Sequence, residues 1–161
     1  PADVALSMVA VGVFSSIAFA VLPRLLVPRL GETKAVMMGL LAAALGYAGY
    51  AFAPTPAVLY GVMVLFCFGG VGGAALNAIL THLVPDNEQG ELQGAIASVG
   101  SLTAIAAPLI MTGLFAHFTG PRAPVYFPGA AFLAAAFCEL GALAIFAGAK
   151  ARKAKTVEPV T

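Results

Sequence analysis

Charge is what this chain has least of. Its 161 residues carry 8 Lys and Arg and 7 Asp and Glu, 9% in all, against about 25% in ordinary soluble domains. A soluble fold of this length exposes too much surface to be covered by so few charges. Hydrophobic residues make up 61% and the mean hydropathy is +0.99, so lipid must cover the remainder. The net charge of +1 says nothing of nucleic acid, since the basic residues gather at membrane edges rather than in a patch, and no nucleic-acid partner is expected. Cysteine is almost as rare. Cys67 and Cys138 both lie in long apolar runs and read as small hydrophobes rather than a disulfide or metal pair. The two histidines, His82 and His117, fall on opposite faces of the membrane, so metal chemistry has no support. No His-Glu-x-x-His, Gly-x-Ser-x-Gly, phosphate loop or paired intramembrane aspartate occurs, and no catalytic residue or cofactor is implied. A short signal-peptide apolar run with its cleavage site is also missing, and with Pro1 in place of Met an upstream segment is expected.

What is present is long apolar runs. Crossing a hydrocarbon core of about 30 Å takes about 20 helical residues. Val4 to Pro23 is uncharged, with Asp3 at its N-cap position. Ala35 to Thr81 is uncharged over 47 residues, roughly 70 Å as one helix, so Pro54-Thr55-Pro56 must divide it. Gly120, Pro121 and Pro124 mark a later turn. The runs are continuous, not alternating, which excludes barrel strands. The expectation is an all-α membrane bundle of five helices near 4–27, 35–53, 57–83, 88–118 and 124–149. Residues 1–149 form the bundle and 150–161 a basic tail. Arg24, Arg29, Lys34, Lys150, Arg152, Lys153 and Lys155 lie on one side, against Arg122 on the other. The positive-inside rule puts the C-terminus in the cytoplasm and the N-terminus outside. The tail reads as a topology anchor that can touch anionic lipid.

Three stretches carry more than helix propensity. Pro28-Arg29-Leu30-Gly31-Glu32-Thr33-Lys34 is a glycine turn among basic residues. Val84 to Gly94 holds Asp86, Glu88, Gln89, Gly90 and Glu91 with no basic residue. Asp86 and Gln89 have capping-box spacing at the start of the fourth helix. An acidic loop beside a basic one suggests a latch between helix pairs, with Arg29 or Lys34 near Asp86, Glu88 or Glu91. On the fourth span Gly94, Ser98, Ser101, Ile105, Pro108 and Thr112 share one face at 100° per residue. That face is either a static seam or a gating, cavity-facing surface.

Together these stretches resemble the major facilitator superfamily, and within it the tetracycline-resistance type of drug:proton antiporter. The most specific segment is Glu88-Gln89-Gly90-Glu91-Leu92-Gln93-Gly94-Ala95-Ile96-Ala97-Ser98, continuing through Ser101-Leu102-Thr103 to Ala107-Pro108-Leu109. It is similar to the loop and eleventh helix of that group. The Pro28–Lys34 loop resembles the basic loop between helices 8 and 9. The resemblance covers the chain as helices 8 to 12 of twelve. It implies a bacterial inner-membrane protein that moves a small substrate, with protons, by rocking against an N-terminal half around a midplane site. Other transport modes of the superfamily, uniport or symport of a metabolite, and a non-transporting membrane scaffold are the alternatives. The chain departs from the antiporter pattern at Ser15, where that group has a histidine, and at Ala43, where it has an aspartate. Near Ala74 and Asn77 that group has a proline and a glutamine.

Inside the spans, Glu139 is the one acid. A charge at the bilayer centre costs roughly 2.5–3.5 kcal/mol, so Glu139 must face protein or water, as a structural residue or as a proton-coupling site. Ser15, Asn77, Ser101 and Thr112 are candidates for the substrate pathway. Asn77 has the alternative of an interhelical hydrogen bond. His82 reads as a solvated residue at the membrane edge. Gly69-x-x-x-Gly73 reads as a close-packing motif or a hinge, and Tyr47 and Tyr50 as packing or interfacial aromatics.

Overall fold

The computed structural model describes residues 2–121 and 123–157, with side chains for these except at 2–11, 14, 56 and 153–157. Arg122, the single basic residue expected at the far end, lies outside the described residues, as do the side chains of Asp3, Lys153 and Lys155. The chain is helical throughout: α1 (Ala2–Leu30), α2 (Glu32–Phe52), α3 (Pro56–Cys67), α4 (Gly69–Thr81), α5 (Gln89–Thr119) and α6 (Ala130–Val157), with one 3₁₀ turn at Asp86–Glu88. No strand occurs among the described residues. Segments 32–52, 57–81, 86–119 and 130–152 are long and apolar enough to cross a membrane. With α1, and with α3 and α4 as two parts of one crossing, the molecule is a five-crossing helical membrane bundle.

The helix ends follow local chemistry. α1 runs through Pro23 and Pro28, past the expected end near residue 27, although an interior proline removes a backbone donor and crowds the preceding turn. It stops at Gly31, whose φ of 78° and ψ of 152° are open only to glycine. The N–H of Gly31 still closes onto Val27 O at 2.9 Å, while Gly31 O accepts from Ala35 N at 3.0 Å. One residue therefore ends one helix and starts the next. Ala53 to Thr55 breaks the chain as expected, and Pro56 opens α3 at a position where no N–H is needed.

Three further boundaries differ from the sequence expectation. The third crossing is not one helix over 57–83. At Phe68 the bonding tightens to i−3, with Phe68 N to Leu65 O at 3.1 Å and Val71 N to Phe68 O at 3.2 Å, just before Gly69-Gly70. The last helix begins at Ala130 rather than 124. Pro124 and Pro128 bias Ala123 and Phe127 away from helix, and Phe127 N instead bonds Phe118 O at 3.0 Å. At its other end α6 continues without a break to Val157, so the basic stretch from Lys150 extends the helix.

α2 is the centre of the bundle, packed on α6 along one side and on α4 along another. The α2–α4 seam is nearly backbone on backbone. A Cβ on Gly39 would strike the backbone of Gly72, and one on Gly72 would lie 3.0 Å from Gly39 Cα. Ala43 is buried in the same seam, 3.0 Å from where Gly69 would carry a Cβ. The close contact therefore uses Gly69 and Gly72. Gly73, the second glycine of the expected motif, faces open space, and Gly70 faces the Phe19 ring. At the end carrying Arg29, Lys34 and Lys150, Ala35, Val36, Val71 and Ala75 form the core, with Leu26, Ile79 and Phe146 against them. At the opposite end Phe52 stacks on Phe127 at 5.5 Å.

Candidate functional site

The polar side chains expected to matter do not form one cavity. They separate into a cluster at the basic end, a lone acid at mid-depth, and a row along α5.

The cluster joins three helices. Asn77 Oδ1 on α4 accepts from Gln93 Nε2 on α5 at 3.3 Å, so its interhelical reading is the one realised in this conformation. One turn on, Thr81 Oγ1 donates to Asn77 O at 2.7 Å. The last carbonyls of a helix have no partner within it, and here Gln89 supplies one. Its Nε2 donates to Thr81 O at 2.8 Å and to Val84 O at 3.2 Å. This corrects the capping-box expectation. The 3₁₀ turn places Glu88, not Asp86, at the N-cap of α5, with no side-chain cap bond, and Gln89 closes the end of the preceding helix instead. His82 Nδ1 lies 3.2 Å from Glu32 Oε1, tying the Gly31 turn to the end of α4. His82 is thus exposed but partnered. Among the described residues no ion pair joins Arg29 or Lys34 to Asp86, Glu88 or Glu91 in this conformation. The two loops do share one end of the molecule.

Glu139 is half-buried on α6. It lies nine residues from Ala130 (139 − 130) and eleven from Lys150 (150 − 139). The late start of α6 therefore moves it to mid-span from the more cytoplasmic depth that the sequence implied. It shares a helix face with buried Ala136 and with Phe146, which packs on the α2 core. Tyr47 packs edge-on against Phe66 at 5.0 Å, and Tyr50 contacts Phe66 at 6.0 Å and Phe132 at 5.8 Å. Both tyrosines are packing residues of the α2–α3–α6 interface.

α5 has no buried residue. Ser98, Ser101 and Thr112 are exposed, and their hydroxyls donate to Gly94 O at 2.8 Å, Ala97 O at 2.9 Å and Pro108 O at 2.6 Å within the same helix. Gly90 and Gly94 meet nothing within 4 Å of a built Cβ, and Pro108 lies inside the helix. Ser15 is half-buried on α1, away from this row in the chain. Sequence reasoning passed over Glu32, His82 and Gln93 as contact residues. The Glu32–His82 pair is 50 positions apart and leaves no local signal, whereas Gln93 stands one turn from Gln89 on the same face.

A bundle of apolar crossings, with polar contacts gathered at one end and an acid within the last crossing, is a polytopic membrane protein. The chain belongs to the Major Facilitator Superfamily, whose description matches residues 1–160. It is 39% identical over 113 residues to the tetracycline resistance protein, class C, of Escherichia coli, covering 70% of this chain and 28% of that protein. It is 37% identical over 119 residues to the class G protein of Vibrio anguillarum, covering 74% and 30%. The class B protein of Escherichia coli is 26% identical over 114 residues, covering 71% and 28%. The chain thus spans under a third of the length of these relatives. No solved structure matches it.

Proposed function

We propose that the chain is the C-terminal part of a secondary transporter that exports a drug-like or small organic substrate in exchange for protons. The observation that carries this reading is the similarity to tetracycline resistance proteins over 70% of the chain, within a family match to nearly all of it. In this reading an N-terminal half covers the exposed α5 face, where Ser101 and Thr112, with Ser15 and Asn77, line the pathway. Gly94 and Pro108 let α5 bend. The protein lies in a bacterial inner membrane with the basic end and C-terminus in the cytoplasm, as the excess of Lys and Arg at that end supports.

Glu139 is the proton-coupling residue of this part. It is the one acid at depth, it faces α2 rather than lipid, and an acid so placed is costly unless it serves a purpose. The cytoplasmic loops act as a latch. Gly31 sets the turn, Gln89 fixes the α4–α5 corner, and Arg29 and Lys34 face the acidic run of Asp86, Glu88 and Glu91 in one access state. Exposed pairs contribute about 0–1 kcal/mol each, enough to bias states separated by a few kcal/mol.

The test is accumulation of a tetracycline-class substrate by everted vesicles containing the complete transporter, with and without a proton gradient. Uptake that collapses with the gradient is the expected result. Gradient-independent equilibration would point to a uniporter, and no movement of any substrate would refute the transport reading.

A further inference from the structure

We infer that Gln93 is a specificity-determining residue of the cytoplasmic mouth. With Asn77 it forms an amide pair that selects a neutral substrate group with a donor beside an acceptor, as in a primary carboxamide. The two glutamines at the start of α5 stand one turn apart on one face and are used differently. Gln89 is half-buried and spends its side-chain nitrogen on backbone, donating to Thr81 O at 2.8 Å and to Val84 O at 3.2 Å. Gln93 is exposed and spends one donor on a side chain, Asn77 Oδ1, at 3.3 Å. That is long against about 2.9–3.0 Å for the usual N–H···O bond, so the contact is readily exchanged. Among the described residues, the second Nε2 hydrogen and the Oε1 of Gln93 and both Nδ2 hydrogens of Asn77 have no other partner.

Depth and surroundings fit this use. Asn77 lies four residues (81 − 77) before Thr81, where the third crossing ends, and so about 6 Å inside that end. Open amide donors at that depth are costly against lipid, so this corner meets water or a ligand. Nothing crowds the pair. Gly73, one turn before Asn77, and Gly90 and Gly94, beside Gln93, would each meet nothing within 4 Å on gaining a Cβ. Charge is directed elsewhere. Glu88 and Glu91 line a groove with Val84, Leu92 and Ala95, which at 100° per residue lies on the other side of α5, and His82 and Glu32 face each other. An ammonium or a carboxylate therefore finds no counter-charge at the pair, whereas an amide matches an amide. A primary carboxamide can donate to one side chain and accept from the other, taking over the bond they now make between themselves. The inference rests on the export reading, which makes this mouth the substrate's point of entry.

The test compares a tetracycline-class substrate bearing a primary carboxamide with its nitrile, which keeps an acceptor and loses the donor. Binding to the complete protein in detergent is measured by calorimetry, and uptake by everted vesicles beside it. The unsubstituted protein is expected to prefer the carboxamide. Gln93→Met keeps the length of the side chain and removes the amide. It should raise Kd and KM for the carboxamide on the order of fivefold, one hydrogen bond's worth, and those for the nitrile by less than about twofold, with Vmax and melting temperature near wild type. Asn77→Gln with Gln93→Asn keeps both amides and their summed length, and should restore the preference. Equal affinity of the unsubstituted protein for the two compounds overturns the proposal. So does equal weakening of both by Gln93→Met, as for a residue that only ties α4 to α5, or a preference that survives it. Vesicles that accumulate neither compound, while the binding preference and its loss in Gln93→Met persist, would refute export and leave the amide pair as the selecting site.

Discussion

Glu139 sits where a carboxyl has few ways to be satisfied: within the last crossing and half-buried on α6. Gln has nearly the same shape and hydrogen-bonding reach but no titratable proton. Glu139→Gln in the complete transporter is therefore expected to abolish gradient-driven uptake while substrate binding and expression stay near wild type. Gradient-driven transport at the wild-type rate would show Glu139 to be structural, and the coupling site would then lie elsewhere in the protein. The sequence disclosed this residue through its rarity, one acid in the apolar spans. Its depth was misread because Pro128-Gly129, beyond the prolines that marked the turn, delays the helix.

At the scale of helices, the seam of α2 and α4 has no room for side-chain atoms where Gly39 meets Gly72. Gly39→Val would drive two methyl groups into the Gly72 backbone, and overpacking of this kind costs roughly 1–3 kcal/mol. A lower melting temperature in detergent is expected, whereas Gly73→Ala, with nothing nearby, should leave it unchanged or slightly raised. The opposite order would restore the Gly69-x-x-x-Gly73 reading. The latch belongs to this scale as well. Replacing Asp86, Glu88 and Glu91 together by their amides should shift the ratio of inward to outward labelling by up to about fivefold, the equivalent of about 1 kcal/mol. An unchanged ratio would remove the latch. Crossings and their order were legible because apolar length, Pro54-Thr55-Pro56 and Gly31 act locally. The partners of Gly72, Asn77 and His82 were not, since each is fixed by a helix distant in sequence.

For the molecule as a whole, alternating crossings with all the described Lys and Arg side chains at one end give a testable orientation. In a background lacking Cys67 and Cys138, a cysteine introduced at Arg152 is expected to react with an impermeant maleimide only in everted vesicles. One introduced at the exposed Tyr126 should react only in intact cells. The reverse pattern would turn the protein over in the membrane.

The hydroxyl row on α5 has a chemical sequel. Each hydroxyl proton at Ser98, Ser101 and Thr112 is already committed to a carbonyl one turn back. What remains outward is oxygen lone pairs. Whatever lies against this face meets a strip that accepts protons and offers almost none. Molecules rich in N–H and O–H can be held there at successive rungs, each weakly enough to be released to the next, while a carboxylate finds no donor to stop at.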